Sequence, residues 1–303
     1  GGLIPVVHER AITRLAKGID STGRLDPEGA SYTIETLKGF MDTALSHNIG
    51  PERLLIAATS ALREADDSSK FISRVKRATG AVIHVLTESQ EANATALGIM
   101  AGFPETCDAF LLDIGGGSTE AITVLGGKVR SWHSEMVGVL KLIDRHIPSN
   151  SSGPPGPPGK TELDAMATEC NFVASEIFKT LGHEARMKDI EFIATAGTAT
   201  TAASVDLALL EYDREIVNGH VIDRETLYGM FERLSLMSVS ERGEVTGLEK
   251  GREDLIIPGL ALTISIMSMF GFTSMKVSDS GLLEGLCLIA MGGVARIWPD
   301  MAG

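Results

Sequence analysis

Leu111-Leu112-Asp113-Ile114-Gly115-Gly116-Gly117-Ser118-Thr119-Glu120 is the stretch whose reading decides the fold. An apolar run, Ala109 to Leu112, leads into it, and a second, Ala121 to Leu125, leads out. Apolar runs of this length bounded by glycine read as buried strands, so the middle reads as a tight turn at the mouth of a hairpin. Glycines let backbone come close to a ligand and aim successive N–H groups inward. Such a nest suits a phosphate, with Gly115, Gly116 and Gly117 giving backbone donors and Ser118 and Thr119 adding hydroxyls. Asp113 and Glu120 would repel a bare phosphate, which points to a bridging Mg²⁺. The plainer alternative is a Gly-rich β-turn with two solvated acids.

Working outward, the chain alternates strands and helices. Upstream, Gly1 to Arg10 reads as a strand, and Asp26-Pro27-Glu28 opens a helix to about residue 47. Leu54 to Ala58 is a strand, Ser68 to Gly80 a helix, Ala81 to Leu86 a strand, and Thr87 to Glu91 caps a helix to about Gly102. Downstream, Gly126-Gly127 turns the hairpin between Val124 and Val129. Helices follow over 136–147 and 161–181, then a strand over 190–195 and helices over about 223–238 and 254–270. Ser274 to Ser278 is a strand, and Asp279-Ser280-Gly281 opens the last helix. The pattern is α/β, built of βαβ units with a partly parallel sheet. Pro148 to Gly159, rich in Pro, Gly and Ser, is a surface loop.

Length and charge narrow the function. The 303 residues allow two domains, and 44% apolar content can bury a core. A net charge of −13 argues against a nucleic-acid surface. No apolar run reaches the length of a membrane span, and no signal peptide is visible. Cys107, Cys170 and Cys287 are far apart and read as reduced core thiols, placing the protein in the cytoplasm.

Two motifs are decoys. Gly153 to Thr161 ends like a phosphate-binding P-loop, but Pro154 stands where its first glycine belongs. His183-Glu184 lacks a histidine at 187, where Met187 stands, so it is no zinc-protease helix. Arg63, just past a buried strand, has the fork that fits phosphate oxygens, or pairs with Glu64 or Asp67 on the surface. Glu91 stands in the first turn of its helix, where an acid is favoured by the helix dipole. Gly197-Thr198-Ala199-Thr200-Thr201 is a second glycine–hydroxyl turn, at a helix start that can bind anions. With the turn at 279–281, three strand ends of one kind describe a place for a phosphorylated ligand.

These residues resemble the exopolyphosphatase / guanosine pentaphosphate phosphohydrolase (Ppx/GppA) family, short form, of the actin-like ATPase (acetate kinase, sugar kinase, heat-shock protein 70) superfamily. The resemblance rests on Ala58-Thr59-Ser60-Ala61-Leu62-Arg63-Glu64-Ala65, Gln90-Glu91-Ala92, Asp113 to Glu120, Thr195-Ala196-Gly197-Thr198-Ala199-Thr200, Ile257-Pro258-Gly259-Leu260 and Ser278 to Gly285. They stand in the family's order across nearly the whole chain. The resemblance implies two ribonuclease-H-like domains, 1–106 and 107–303, with an interdomain catalytic cleft. Two departures stand out. The family's first phosphate loop does not precede Gly1, so the first domain is expected to lack its strands and contacts, which are expected to belong to the natural protein. Gln90 stands where the family often has the first of two acids, which leaves the role of base to Glu91.

The implied reaction is hydrolysis of a terminal phosphoanhydride in polyphosphate or guanosine pentaphosphate. Glu91 would be the general base for water and Arg63 would neutralise charge on the transferring group. Gly115 to Thr119, with Gly197 and Thr198, would bind phosphate, and Asp113 and Glu120 would hold Mg²⁺. The alternatives are a kinase of the same superfamily and a guanosine tetraphosphate or nucleotide sensor with little turnover. A homodimer is one option for the assembly. A strip for long polyanions would draw on Arg14, Lys17, Arg242 and Arg252.

Overall fold

The computed structural model describes residues 3, 5–104, 107–147, 156–185 and 190–292. The chain divides into two compact units, one of Gly1–Glu91 with the last helix from Leu286 onward, the other of Ala92–Gly285. The division falls at Glu91/Ala92, not at the expected 106/107. The reason is the small inner face of one helix. Ala92, Ala96 and Ile99 are buried in a cluster with Ala109, Leu111, Ile122 and Ile193, so the helix beyond Glu91 belongs to the second unit's core.

In the first unit, a short helix α1 (Ile19–Thr22) precedes α2 (Pro27–Ser46). Asp26 caps α2, its carboxylate accepting from the Gly29 N–H at 2.7 Å, with Pro27 in the first turn where its missing N–H costs nothing. Strand β1 (Ile56–Ala58) leads into α3 (Ser60–Glu64), then α4 (Ser68–Thr79), which stops at Gly80 in the left-handed conformation, φ +75°. Strand β2 (Ile83–Val85) pairs in parallel with β1, Ile56 opposite Ile83, and α5 (Glu88–Met100) follows. Ile19, Leu25, Ile34, Leu62, Phe71 and Val75 make this unit's core. The strand expected at 1–10 does not form among its described residues, where the backbone is irregular. Val6 and Val7 are exposed, so their apolar side chains gain no burial that would reward a strand.

The second unit is organised on the hairpin. Strands β3 (Ala109–Ile114), β4 (Thr119–Leu125) and β5 (Lys128–Glu135) form an antiparallel meander, β4 and β5 joined by Gly126-Gly127 with φ of +58° and +71°. Positive φ at both positions is the hairpin turn that suits strand twist. Helices α6 (Val139–His146) and α7 (Lys160–Ala185) follow, then β6 (Glu191–Thr195), α8 (Ala196–Asp206), α9 (Arg214–Val217), β7 (Val221–Asp223), α10 (Arg224–Ser235), α11 (Val239–Arg242), α12 (Ile256–Phe270), β8 (Ser274–Val277) and α13 (Leu282–Gly292). The sheet order is β5-β4-β3-β6-β8-β7, with β6 and β8 parallel to β3 and β7 antiparallel at the edge. A meander followed by parallel strands is the ribonuclease-H-like order. β3 is covered on both faces, which explains its unbroken apolar run. Ala109 and Leu111 face the α5 cluster, while Phe110 meets Phe192, Phe270 and Phe272.

Smaller differences have local causes. β5 runs through Glu135, so the helix expected from 136 begins at Val139. β7, three residues long, is too short for its alternation to be read. Residues 148–155 of the proline loop lie outside the described residues. Cys170 is buried, and burial pushes its thiol up to about 12, but Cys287 is exposed and Cys107 only partly covered, so just one of the three is a core thiol. Among the described residues no helix is long and apolar enough to cross a membrane.

Candidate active site

In the first unit, β1 delivers Arg63 through the single turn of α3, and β2 delivers Glu91 through the start of α5. The α5 start is fixed by a reciprocal cap. Thr87 Oγ1 accepts from the Gln90 N–H at 3.2 Å, and Gln90 Oε1 accepts from the Thr87 N–H at 2.9 Å. Gln90 is therefore committed to holding the helix end, and Glu91 is the acid the next position presents. Arg63 Nη1 donates to Glu91 Oε2 at 2.6 Å and to the Leu86 carbonyl at 2.9 Å. Glu91 is only 6% exposed. Burial pushes its carboxyl above the usual carboxylate range. The hydrogen bond and charge of Arg63 and a hydrogen bond from Thr59 oppose that, and the charge of Glu88 adds to it. Arg63 is not the surface partner of Asp67, whose carboxylate instead accepts from the Leu25 N–H at 3.1 Å. Arg63 Nε and Nη2 are buried with no protein acceptor among the described residues.

In the second unit, Gly115 to Ser118 close the hairpin, with the Gly115 N–H donating to the Ser118 carbonyl at 2.9 Å. The loop is braced on α6. The Gly115 and Gly116 carbonyls accept from the Val139 and Leu140 N–H groups at 3.1 and 2.9 Å, satisfying donors that a helix start leaves open. A Cβ on Gly138 would come within 2.5 Å of the Gly115 carbonyl oxygen, so only glycine admits this contact. The sequence reading missed Gly138. Its signal was a lone glycine directly before an apolar helix. The expectation for Thr119 is corrected: it is fully buried, its hydroxyl donates to the Val137 carbonyl at 2.7 Å, and its backbone lies in the ladder between Ile114 and Glu135. Ser118 is buried as well.

Asp113 and Glu120 are direct partners across the β3–β4 ladder, so their side chains leave the same face. Glu120 is buried and accepts from Ser134 Oγ at 3.0 Å. Among the described residues no three His, Cys, Asp or Glu side chains converge on one metal position. Mg²⁺ does not require three, since one or two carboxylates plus water and substrate phosphate oxygens complete its shell. The donor set fits that ion.

At the second turn, Ala196 opens α8 with φ +64°, a strained backbone for a residue with a side chain. Among the described residues no side chain caps α8. Thr195 Oγ1 donates to the Ser280 carbonyl at 2.9 Å, which ties the turn at 279–281 to the start of α8. Thr198 is buried, and a Cβ on Gly259 would come within 2.3 Å of its Oγ1. Its hydroxyl lies on α12, a further correction, and its backbone N–H is the group left at the helix end. Arg252 lies over Gly197, with Nε paired to Glu249 Oε2 at 2.6 Å. Arg242, in contrast, is buried and donates to the Leu234 and Glu253 carbonyls at 2.8 and 2.9 Å, so it cannot serve a surface strip.

The sequence pattern of the Ppx/GppA phosphatase family matches residues 1–292. Exopolyphosphatase 2 of Mycobacterium tuberculosis is 26% identical over 302 residues, covering 96% of this chain and 91% of that protein. The crystal structure of an exopolyphosphatase-like protein superposes with a TM-score of 0.84 at 25% identity, over 95% of this chain and 92% of the other. That of the Aquifex aeolicus Ppx/GppA family member gives 0.73 at 26% identity, over 94% and 89%.

Proposed function

This chain belongs to the Ppx/GppA phosphatase family, and we propose that it hydrolyses the terminal phosphoanhydride bond of inorganic polyphosphate, guanosine pentaphosphate being the second substrate to test. The observation that carries the reading is a buried carboxylate, Glu91, held by an arginine whose Nε and Nη2 have no acceptor among the described residues. The exopolyphosphatase relatives support the choice of polyphosphate.

A water molecule attacks the terminal phosphorus, Glu91 takes its proton, and the bond to the bridging oxygen breaks, with the shortened chain leaving as the anion. A carboxyl raised above its usual range suits this task better than a solvated one, because a general base works best with a pKa near the working pH. Arg63 Nε and Nη2 take phosphate oxygens in a planar fork. In the second unit, backbone N–H groups of Gly116 to Ser118 hold phosphate oxygens, and the start of α8, with Gly197 and Thr198, offers further N–H donors beside the Arg252 guanidinium. Asp113 and Glu120 would hold Mg²⁺, which supplies charge neutralisation on the phosphate chain. The rest is positioning and electrostatics, which carry most of the catalysis in phosphoryl transfer.

The test is phosphate release from polyphosphate and from guanosine pentaphosphate, with and without Mg²⁺ and with no acceptor added. Release from polyphosphate supports the proposal. Transfer only when a sugar or acid acceptor is present would make the chain a kinase, and tight guanosine tetraphosphate binding without release would make it a sensor.

A further inference from the structure

The Arg63 guanidinium divides its donors unevenly. Nη1 alone makes both of its bonds, to the Leu86 carbonyl and to Glu91. Nε and Nη2 form the opposite edge of the fork, the edge that takes two oxygens of one oxyanion, and among the described residues no protein group accepts from either. The side chain is only 16% exposed, so these donors are costly to leave unmet.

We propose that Arg63 links the two edges: seating of an oxyanion on Nε and Nη2 and uptake of a proton by Glu91 are one coupled event. The linkage stands on this geometry. Its catalytic meaning rests on the reading of Glu91 as base. Among the described residues the charged groups acting on Glu91 are Arg63 from α3 and Glu88 from its own helix, with Thr59 adding a neutral hydrogen bond. An oxyanion on the far edge of Arg63 engages part of the positive charge that steadies the Glu91 carboxylate, and it brings its own negative charge close. Both effects raise the carboxylate's proton affinity. Linkage is reciprocal, so protonated Glu91 strengthens anion binding by the same factor. In turnover, the seated phosphate turns a weak base into one better matched to water's proton.

The test uses sulfate, which does not titrate between pH 5 and 8, as the probe on the whole chain. Calorimetric titrations in buffers of different ionisation enthalpy report the protons taken up. Wild type is expected to take up a fraction of a proton, with sulfate binding about tenfold tighter at pH 5 than at pH 8. Glu91→Gln is expected to bind sulfate with no uptake and a flat pH dependence, and Arg63→Met to lose the binding. In turnover by wild type, the acid limb of kcat, which reports the substrate complex, should lie about one pH unit above that of kcat/KM, which reports the free enzyme. No sulfate binding, no uptake in wild type, or the same uptake in Glu91→Gln each overturns the coupling. If uptake is absent while Glu91→Gln still kills turnover, the base stands and the coupling falls. If uptake is present while Glu91→Gln turns over normally, the coupling stands and the base falls.

Discussion

The guanidinium of Arg252 lies directly on the backbone of Gly197: a Cβ there would sit 1.8 Å from Nη1 and 2.1 Å from Cζ. Arg252 is the far end of a flexible side chain, so a methyl group at 197 can be accommodated by pushing the guanidinium aside. The fold should tolerate Gly197→Ala, and the start of α8 should lose its cation. The expected result is an unfolding midpoint near wild type, with KM for polyphosphate raised roughly tenfold, the scale of one lost charge-assisted contact. Steady-state kinetics beside a thermal melt would check it. An unchanged KM would return Arg252 to the role of a partner for Glu249.

Glu91→Gln should lower phosphate release by ~10²–10⁴ while leaving substrate binding nearly intact, since an amide cannot take a proton from water. The same substitution should act on stability. The folded-state pKa of Glu91 lies above its ordinary value, so the folded chain binds this proton more tightly than the unfolded chain does. Stability from this group is complete below the ordinary carboxylate pKa and is lost as pH rises through the folded value. The variant, free of that loss, is expected to melt higher than wild type at pH 8, by about 1–3 °C, and with little difference near pH 4. Paired melts at the two pH values measure this. A lower Tm at pH 8 would mean that the Arg63 pair outweighs burial.

Much of this was legible in the residues. The hairpin Ala109–Leu125 announced itself because both strands are buried on both faces and so carry unbroken apolar runs around three glycines. Arg63 and Glu91 were visible as strand-end residues, but their direct bond was not, since it joins positions 28 apart across two parallel strands. The hydroxyls misled. Threonine beside glycine reads as a ligand donor, yet Thr119 and Thr198 are packed inward, which depends on what lies behind each turn. Arg242 misled in the opposite sense. A lone arginine among acids reads as surface, and only the approach of the α10 and 253 carbonyls shows why it is buried.

The crossing of α5 and α13 gives a stability prediction. A Cβ on Gly98 would come within 1.9 Å of the Gly281 carbonyl oxygen, and one on Gly285 within 1.8 Å of the Ala94 carbonyl oxygen. These obstacles are backbone and cannot swing away. Gly285→Ala should therefore destabilise by about 1–3 kcal/mol or more despite alanine's better helix propensity. Gly39→Ala, in the exposed interior of α2 with nothing within 4 Å, should stabilise by about 0.5–1 kcal/mol. Urea unfolding of both variants separates the effects. A neutral Gly285→Ala would show that the helices can separate at little cost.

The last prediction concerns the carboxylate pair at the hairpin mouth. Asp113 and Glu120 are opposite residues of one antiparallel ladder, so two negative charges share one face at about 5 Å between Cβ atoms. Like charges so placed repel, and a divalent cation held by Asp113 and Glu120 would remove the repulsion. Glu120 is buried and tied to Ser134, whereas Asp113 is less covered, so Asp113 is the better of the two to alter without disturbing the strand. Asp113→Asn keeps the shape and removes one charge. Two results are expected. Mg²⁺ should raise the unfolding midpoint of wild type and raise it less in the variant, because binding to the folded state stabilises it in proportion to affinity. The Mg²⁺ concentration for half-maximal phosphate release should rise several-fold in the variant. If both titrations superpose on wild type, Asp113 holds no metal, and its charge serves only the hairpin.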